Sequence, residues 1–169
     1  MTLRITQYGE SILHEKGKAV SDFSDELLDL ANDMIEAMRG ADGIGLAAQQ
    51  IGKALRFCVI EVPDHPDYPM TCILDGKPLS PALLRPMPLA NPKIQLLPCD
   101  EFYYEEGCLS LPEIKGDVAR PERIRVEYQD LDGVPPQRGG HGGVRDGLVP
   151  LAREERRRAA RDRRVDERN

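Results

Sequence analysis

Apolar and polar positions alternate with two different periods along the first 135 residues and with neither in the last 34. Over residues 24–39, Leu27, Leu28, Ala31, Met34, Ile35 and Met38 recur at spacings of three and four. That spacing predicts one apolar face of a helix. Ser24 stands where an N-cap belongs, Asp25 and Glu26 suit the positive end of the helix dipole, and Gly40 is a stop signal. Phe23 and Leu28 are placed for a hydrophobic staple. The run Phe57-Cys58-Val59-Ile60, within residues 56–62, predicts a buried strand. A second strand is expected over residues 88–97, interrupted at Asn91-Pro92. Residues 123–128 alternate Ile124, Val126 and Tyr128 with Arg123, Arg125 and Glu127, the pattern of a half-buried antiparallel strand. Turns are expected at Asp75-Gly76 and at Asp130–Gly133. One early helix and several short strands predict an α+β fold.

From Pro136 onward the chain contains no Ile, Met, Phe, Tyr, Cys or Lys. The apolar residues of 151–168 form no continuous stripe, so the segment reads as a solvated helix or as disordered chain. The sequence therefore divides into a body, 1–135, and an Arg/Gly-rich tail, 136–169.

The 169 residues, 40% of them hydrophobic, suffice for one domain. Of the 23 basic and 29 acidic side chains, ten arginines and six acids fall in the tail, which leaves the tail at +4 and the body at −10. An acidic body argues against nucleic acid as a specific ligand. No run of 18 apolar residues predicts a membrane span, and the first residues lack the pattern of a signal peptide, so a cytoplasmic protein is expected. Cys58, Cys72, Cys99 and Cys108 form no C-x-x-C pair and read as free thiols or one metal ligand.

Two segments carry chemistry. The glycine-rich run Gly43-Ile44-Gly45-Leu46-Ala47-Ala48-Gln49-Gln50 follows the helix, and Glu106-Gly107-Cys108-Leu109-Ser110 precedes the last strand. Each alone has an ordinary reading, a turn and a core cysteine. Together, in this order, they match GxGLAAxQ and EGCLS, and the body resembles the peptide deformylase family through about Val134. The resemblance implies antiparallel sheets wrapped around a C-terminal helix. It also implies removal of the formyl group from the N-terminal formyl-methionine of nascent proteins, with Fe(II) or another divalent ion as cofactor. Formyl-methionyl peptides are the implied partners, with the ribosome as their source.

By the same resemblance Cys108 is a thiolate metal ligand, and the Leu109 backbone N–H and the Gln50 amide are oxyanion donors. Gly43 and Gly45 allow close approach of the substrate, and Gly45 pairs with its main chain. Glu106 orients the loop, and Arg120 stands near the substrate pocket.

The departure is the family's third motif, HExDH on the C-terminal helix, which supplies two histidine ligands and the glutamate base. The three histidines here, His14, His65 and His141, do not form it. His14-Glu15 has lysine four residues on, His65 lies in a proline-rich loop, and His141 is flanked by four glycines. The general base and two metal ligands are thus missing, the core helix is not recognisable, and the metal is not expected to be retained. Two origins fit: natural divergence, or a reading-frame shift near Pro135. Twenty of the tail's 34 residues are Arg, Gly, Ala or Pro, which favours the shift. Either the chain is a deformylase relative without activity, or it is a non-catalytic module that binds N-terminal peptides or the ribosome. The sheet faces bearing Phe57, Val59, Ile124 and Val126 are expected to lack an apolar partner in the tail, giving an unstable chain.

Overall fold

A computed structural model describes residues 3–61, 71–74, 77–79, 86–121, 123–133 and 145–148. Helix α1 (Asp25–Gly40) is followed by β1 (Gly45–Ala47), β2 (Phe57–Ile60), β3 (Thr71–Leu74), β4 (Lys77–Leu79), β5 (Met87–Leu96), β6 (Glu101–Cys108), β7 (Leu111–Pro121), β8 (Arg123–Gln129) and β9 (Arg145–Leu148). Short 3-10 helices occupy Ser11–His14 and Ala48–Ile51. Seven strands form one sheet in the order β1-β2-β5-β8-β9-β3-β4, and β6 pairs with β7. All the strand pairs are antiparallel, and with the early helix they give the α+β class expected.

The core lies where α1 crosses the β1–β2–β5 end of the sheet. Register places Leu46 opposite Val59 and Ala90 opposite Phe57, so these four share one face. Met34 and Met38 are fully buried against the cluster that contains them, with Leu27, Ala31 and Ile35 alongside. Each large side chain so buried stabilises the fold by about 1.5–3 kcal/mol. Phe57 and Val59 are thus covered by α1, a partner outside the tail that the expectation of an uncovered face left out of account. Ile124 and Val126 are only half buried, and their β5 neighbours Leu96 and Ile94 are 67% and 65% exposed.

Several local expectations are corrected. Helix α1 ends at Gly40, as the stop signal predicted, but the left-handed residue that follows it is Asp42, with φ +53°. Ser24 holds the N-cap position, but its hydroxyl donates to the Glu26 carboxylate instead of capping a backbone N–H. No staple forms: Leu28 is 45% exposed, while Phe23 packs on the core and fills the space beside Gly133. Strand β5 passes through Asn91-Pro92 without ending. Asn91, at φ +51°, sits in a bulge between Ala90 and Lys93. Its side chain both donates to and accepts from the Val20 main chain, which offsets the strain. In the tail, Arg145–Leu148 is a strand between β8 and β3 that the composition of the tail did not suggest. Residues 151–168, His65, His141 and the turn residues Asp75-Gly76 lie outside the described residues. The turn at Asp130 is present, closed by the Gly133 N–H donating to Asp130 C=O at 3.2 Å.

Strands β5 and β6 run one after the other, and β7 and β8 return beside them. The four strands are therefore one long two-armed ribbon, interrupted at residues 97–100. There the Leu97 N–H donates to Arg123 C=O at 3.4 Å, and the Cys99 thiol donates to Leu97 C=O. The ribbon's tip, Leu109-Ser110, carries the cysteine motif.

Candidate active site

The glycine-rich run does not remain a loop. Gly43 turns the chain out of α1, its N–H donating to Met38 C=O at 2.9 Å, and Gly45–Ala47 then becomes edge strand β1. Gln50 closes the following 3-10 helix. Its side-chain oxygen accepts from the Ala47 N–H at 2.9 Å. That fixes the amide and turns its nitrogen towards the ribbon tip. There it donates to Ser110 Oγ at 3.1 Å and approaches Cys108 Sγ at 3.8 Å.

The structure thus brings together Gln50, Cys108 and the Leu109-Ser110 turn, with Gly43 beside them. A Cβ on Gly43 would stand 2.6 Å from Leu109 Cδ1, so the space this glycine leaves is filled by the chain's own leucine. At Gly45 a Cβ would meet Ile60 Cγ2 at an ordinary 3.5 Å, so crowding within the chain does not require glycine there. Cys108 is exposed, while Ser110 is buried.

The N-terminal segment, which sequence reasoning overlooked, clamps both motifs. Thr6 donates from its N–H to Gln50 C=O at 2.7 Å and from its hydroxyl to Gln49 C=O at 3.1 Å. The Tyr8 N–H donates to Ser110 C=O at 2.8 Å, and the Gln7 amide donates to Leu109 C=O at 3.4 Å. These links span 43 and 102 residues for Thr6–Gln49 and Gln7–Leu109, and no local pattern marks them.

Glu106 and Arg120 meet across the ribbon in a two-pronged ion pair at 2.6 and 2.5 Å. The hydrogen bond from Arg120, more than its charge, holds the Glu106 carboxyl below the usual range. Arg120 is thereby engaged with the strand that carries the cysteine motif. Cys58 lies on β2 opposite Ala47 of the first motif, and burial raises its thiol to about 11.

The sequence pattern of the polypeptide deformylase family matches residues 2–142. The chain belongs to that family. A peptide deformylase of Opitutus terrae is 43% identical over 136 residues, which is 80% of this chain and 70% of the relative. Among the eight curated relatives compared, the aligned part spans 62–70% of the relative's own length. The crystal structure of the peptide deformylase from Thermotoga maritima superposes with a TM-score of 0.69 at 30% identity, covering 92% of this chain and 88% of the other. A Met-Ala-Ser-bound deformylase from Acinetobacter baumannii gives 0.66 at 28% identity, covering 80% of each.

Deformylases are metalloenzymes, which sets a test for these residues. A catalytic metal of this kind takes three protein ligands and keeps one position open. Among the described residues no three His, Cys, Asp or Glu side chains gather to hold an ion. Cys108 stands with an amide and a hydroxyl, both poor ligands for such a metal, and His14 lies exposed at the end of its 3-10 helix. The described donor set does not fit the family's metal. No described helix is long and apolar enough to cross a membrane.

Proposed function

We propose that this chain retains the peptide-holding part of a deformylase and, as written, removes no formyl groups. The family reaction frees the N-terminus of formyl-methionyl chains. In this reading Gly45 offers main-chain pairing to an extended peptide, and Gly43 lets the ribbon tip pack close to that path. The Gln50 amide and the Leu109 N–H are the donors for a peptide carbonyl. Cys108 is a single remaining metal ligand, too few to retain Fe(II) or another divalent ion. The natural partners are nascent peptides at the ribosome in the cytoplasm. Specific nucleic-acid binding has no part in it.

The observation that carries this reading is the position of β1. It is the edge strand of the sheet, beside the converging Gln50 and Cys108. An edge strand can add an extended peptide by main-chain hydrogen bonds. Turnover is a separate matter, because no glutamate stands in the third-motif pattern to take a proton from water. Losing a general base alone costs about 10²–10⁴ in rate.

The test loads the purified full chain with Fe(II) or Zn(II), dialyses it, and measures metal content, formate release from formyl-Met-Ala-Ser, and affinity for that peptide. Less than about one metal per ten chains and background turnover are expected. Measurable peptide affinity without metal is expected as well. Stoichiometric metal with robust turnover overturns the inactive reading, and absence of peptide binding overturns the binding one.

A further inference from the structure

The outer half of the long ribbon, β6 with β7, is attached to the molecule in an unequal way. Its two strands pair with each other from Glu101↔Pro121 to Cys108↔Leu111 and belong to no larger sheet. Most described side chains along β7 are exposed. A two-stranded ribbon alone is marginally stable in water. Its base, at residues 97–100, is the interruption already described. The hydrogen bonds that reach it from the N-terminal segment and from Gln50 all end on Cys108, Leu109 or Ser110. Among the residues of the ribbon's outer half whose side chains are described, Ser110 alone is buried.

We propose that the β6–β7 ribbon is a latched arm, with Ser110 as its catch. When the catch is closed, Ser110 accepts from Gln50 and Tyr8, Leu109 fills the space over Gly43, and Cys108 faces the Gln50 amide. When it is released, the arm swings about residues 97–100, and Cys108 and Leu109 leave Gln50 and β1 together. The two sequence motifs then form one site only in the latched state. The Glu106–Arg120 and Glu105–Lys115 ion pairs join the two strands of the arm to each other, so they let it move as one body.

Hydrogen exchange on the full chain, read by mass spectrometry, tests this. In the unmodified chain, residues 101–121 should exchange together, faster than α1 but slower than unprotected amides. Ser110→Ala removes the catch's acceptor hydroxyl and should speed exchange of 101–121 by roughly five- to tenfold, the worth of one hydrogen bond. Exchange of α1 and β2 should stay unchanged. Gly43→Ala, which pushes Leu109 away from the opposite side, should act on the same residues. Three results overturn the proposal: an arm already unprotected in the unmodified chain, an arm as protected as α1 in both variants, or variants that accelerate α1 and the arm equally.

Discussion

The two ends of the β5 strand show how differently one sheet treats the same kind of residue. At its start, Leu89 and Ala90 are 5% and 0% exposed, and Ala90 shares with Phe57 and Val59 the face that α1 covers. Four and six residues beyond Ala90, Ile94 and Leu96 pair directly with Val126 and Ile124, yet remain largely in water. Both ends have apolar side chains and good register. Only the first has a described element lying across it. Pairing satisfies the backbone, but burial needs a second layer. The described part of this deformylase relative is thus well packed at its N-terminal end and open at the other.

The largest test of that contrast is Phe57→Ala. Truncating a buried aromatic costs about 3–5 kcal/mol, a large part of the roughly 5–15 kcal/mol of a typical domain. Urea denaturation should show the unfolding free energy lowered by that amount, with the midpoint moved to much lower urea. A loss below about 1 kcal/mol would mean that the α1 core does not carry the fold. At the open end, Ile94→Ala and Leu96→Ala should each change stability by no more than about 0.5 kcal/mol, as at other exposed positions. Both should reduce self-association in sedimentation, because exposed apolar strips promote it. A cost above about 2 kcal/mol for either would show that something covers this face.

A small, pH-dependent effect is expected on the arm. Arg120 holds the Glu106 carboxyl below its ordinary value, so the folded chain favours the charged form. The resulting stability is present above the unfolded value of about 4.3 and is lost as pH falls through the lower folded one. Both partners are partly exposed, so solvent screening limits the pair to at most about 1 kcal/mol. Glu106→Gln should therefore lower the denaturation midpoint slightly at pH 7 and not at pH 2. An equal loss at both values would assign the effect to packing.

What could be read from the sequence was local. The period of α1, the run at Phe57 and the alternation around Val126 each lie within a few residues, and each element formed where expected. The two motifs were legible as well, and the structure places them together through Gln50 and Ser110. What escaped was non-local. Strand β1 hides in a glycine-rich segment because three residues paired to β2 leave no periodicity of their own. The passage of β5 through Asn91-Pro92 depends on Val20, 71 residues away, receiving the asparagine side chain. The clamp by Thr6, Gln7 and Tyr8 combines backbone N–H groups, which any sequence supplies, with a hydroxyl and an amide whose acceptors lie 43 and 102 residues away. The open face at Ile94 and Leu96 lies beside Ile124 and Val126, two of the residues expected from the sequence to lack an apolar partner in the tail.

The bond between Gln50 and Ser110 also has a consequence for how the molecule comes together in time. It joins groups 60 residues apart, and closing such a loop costs roughly 3–4 kcal/mol in chain entropy before the contact returns anything. Helix α1 with β1 and β2 closes much shorter loops and can assemble first. The tip of the ribbon therefore docks late, onto a body already formed. Until it does, the growing or refolding chain presents the apolar strip of β5 and β8 without its final geometry, and this is the interval in which chains of this protein meet one another most easily.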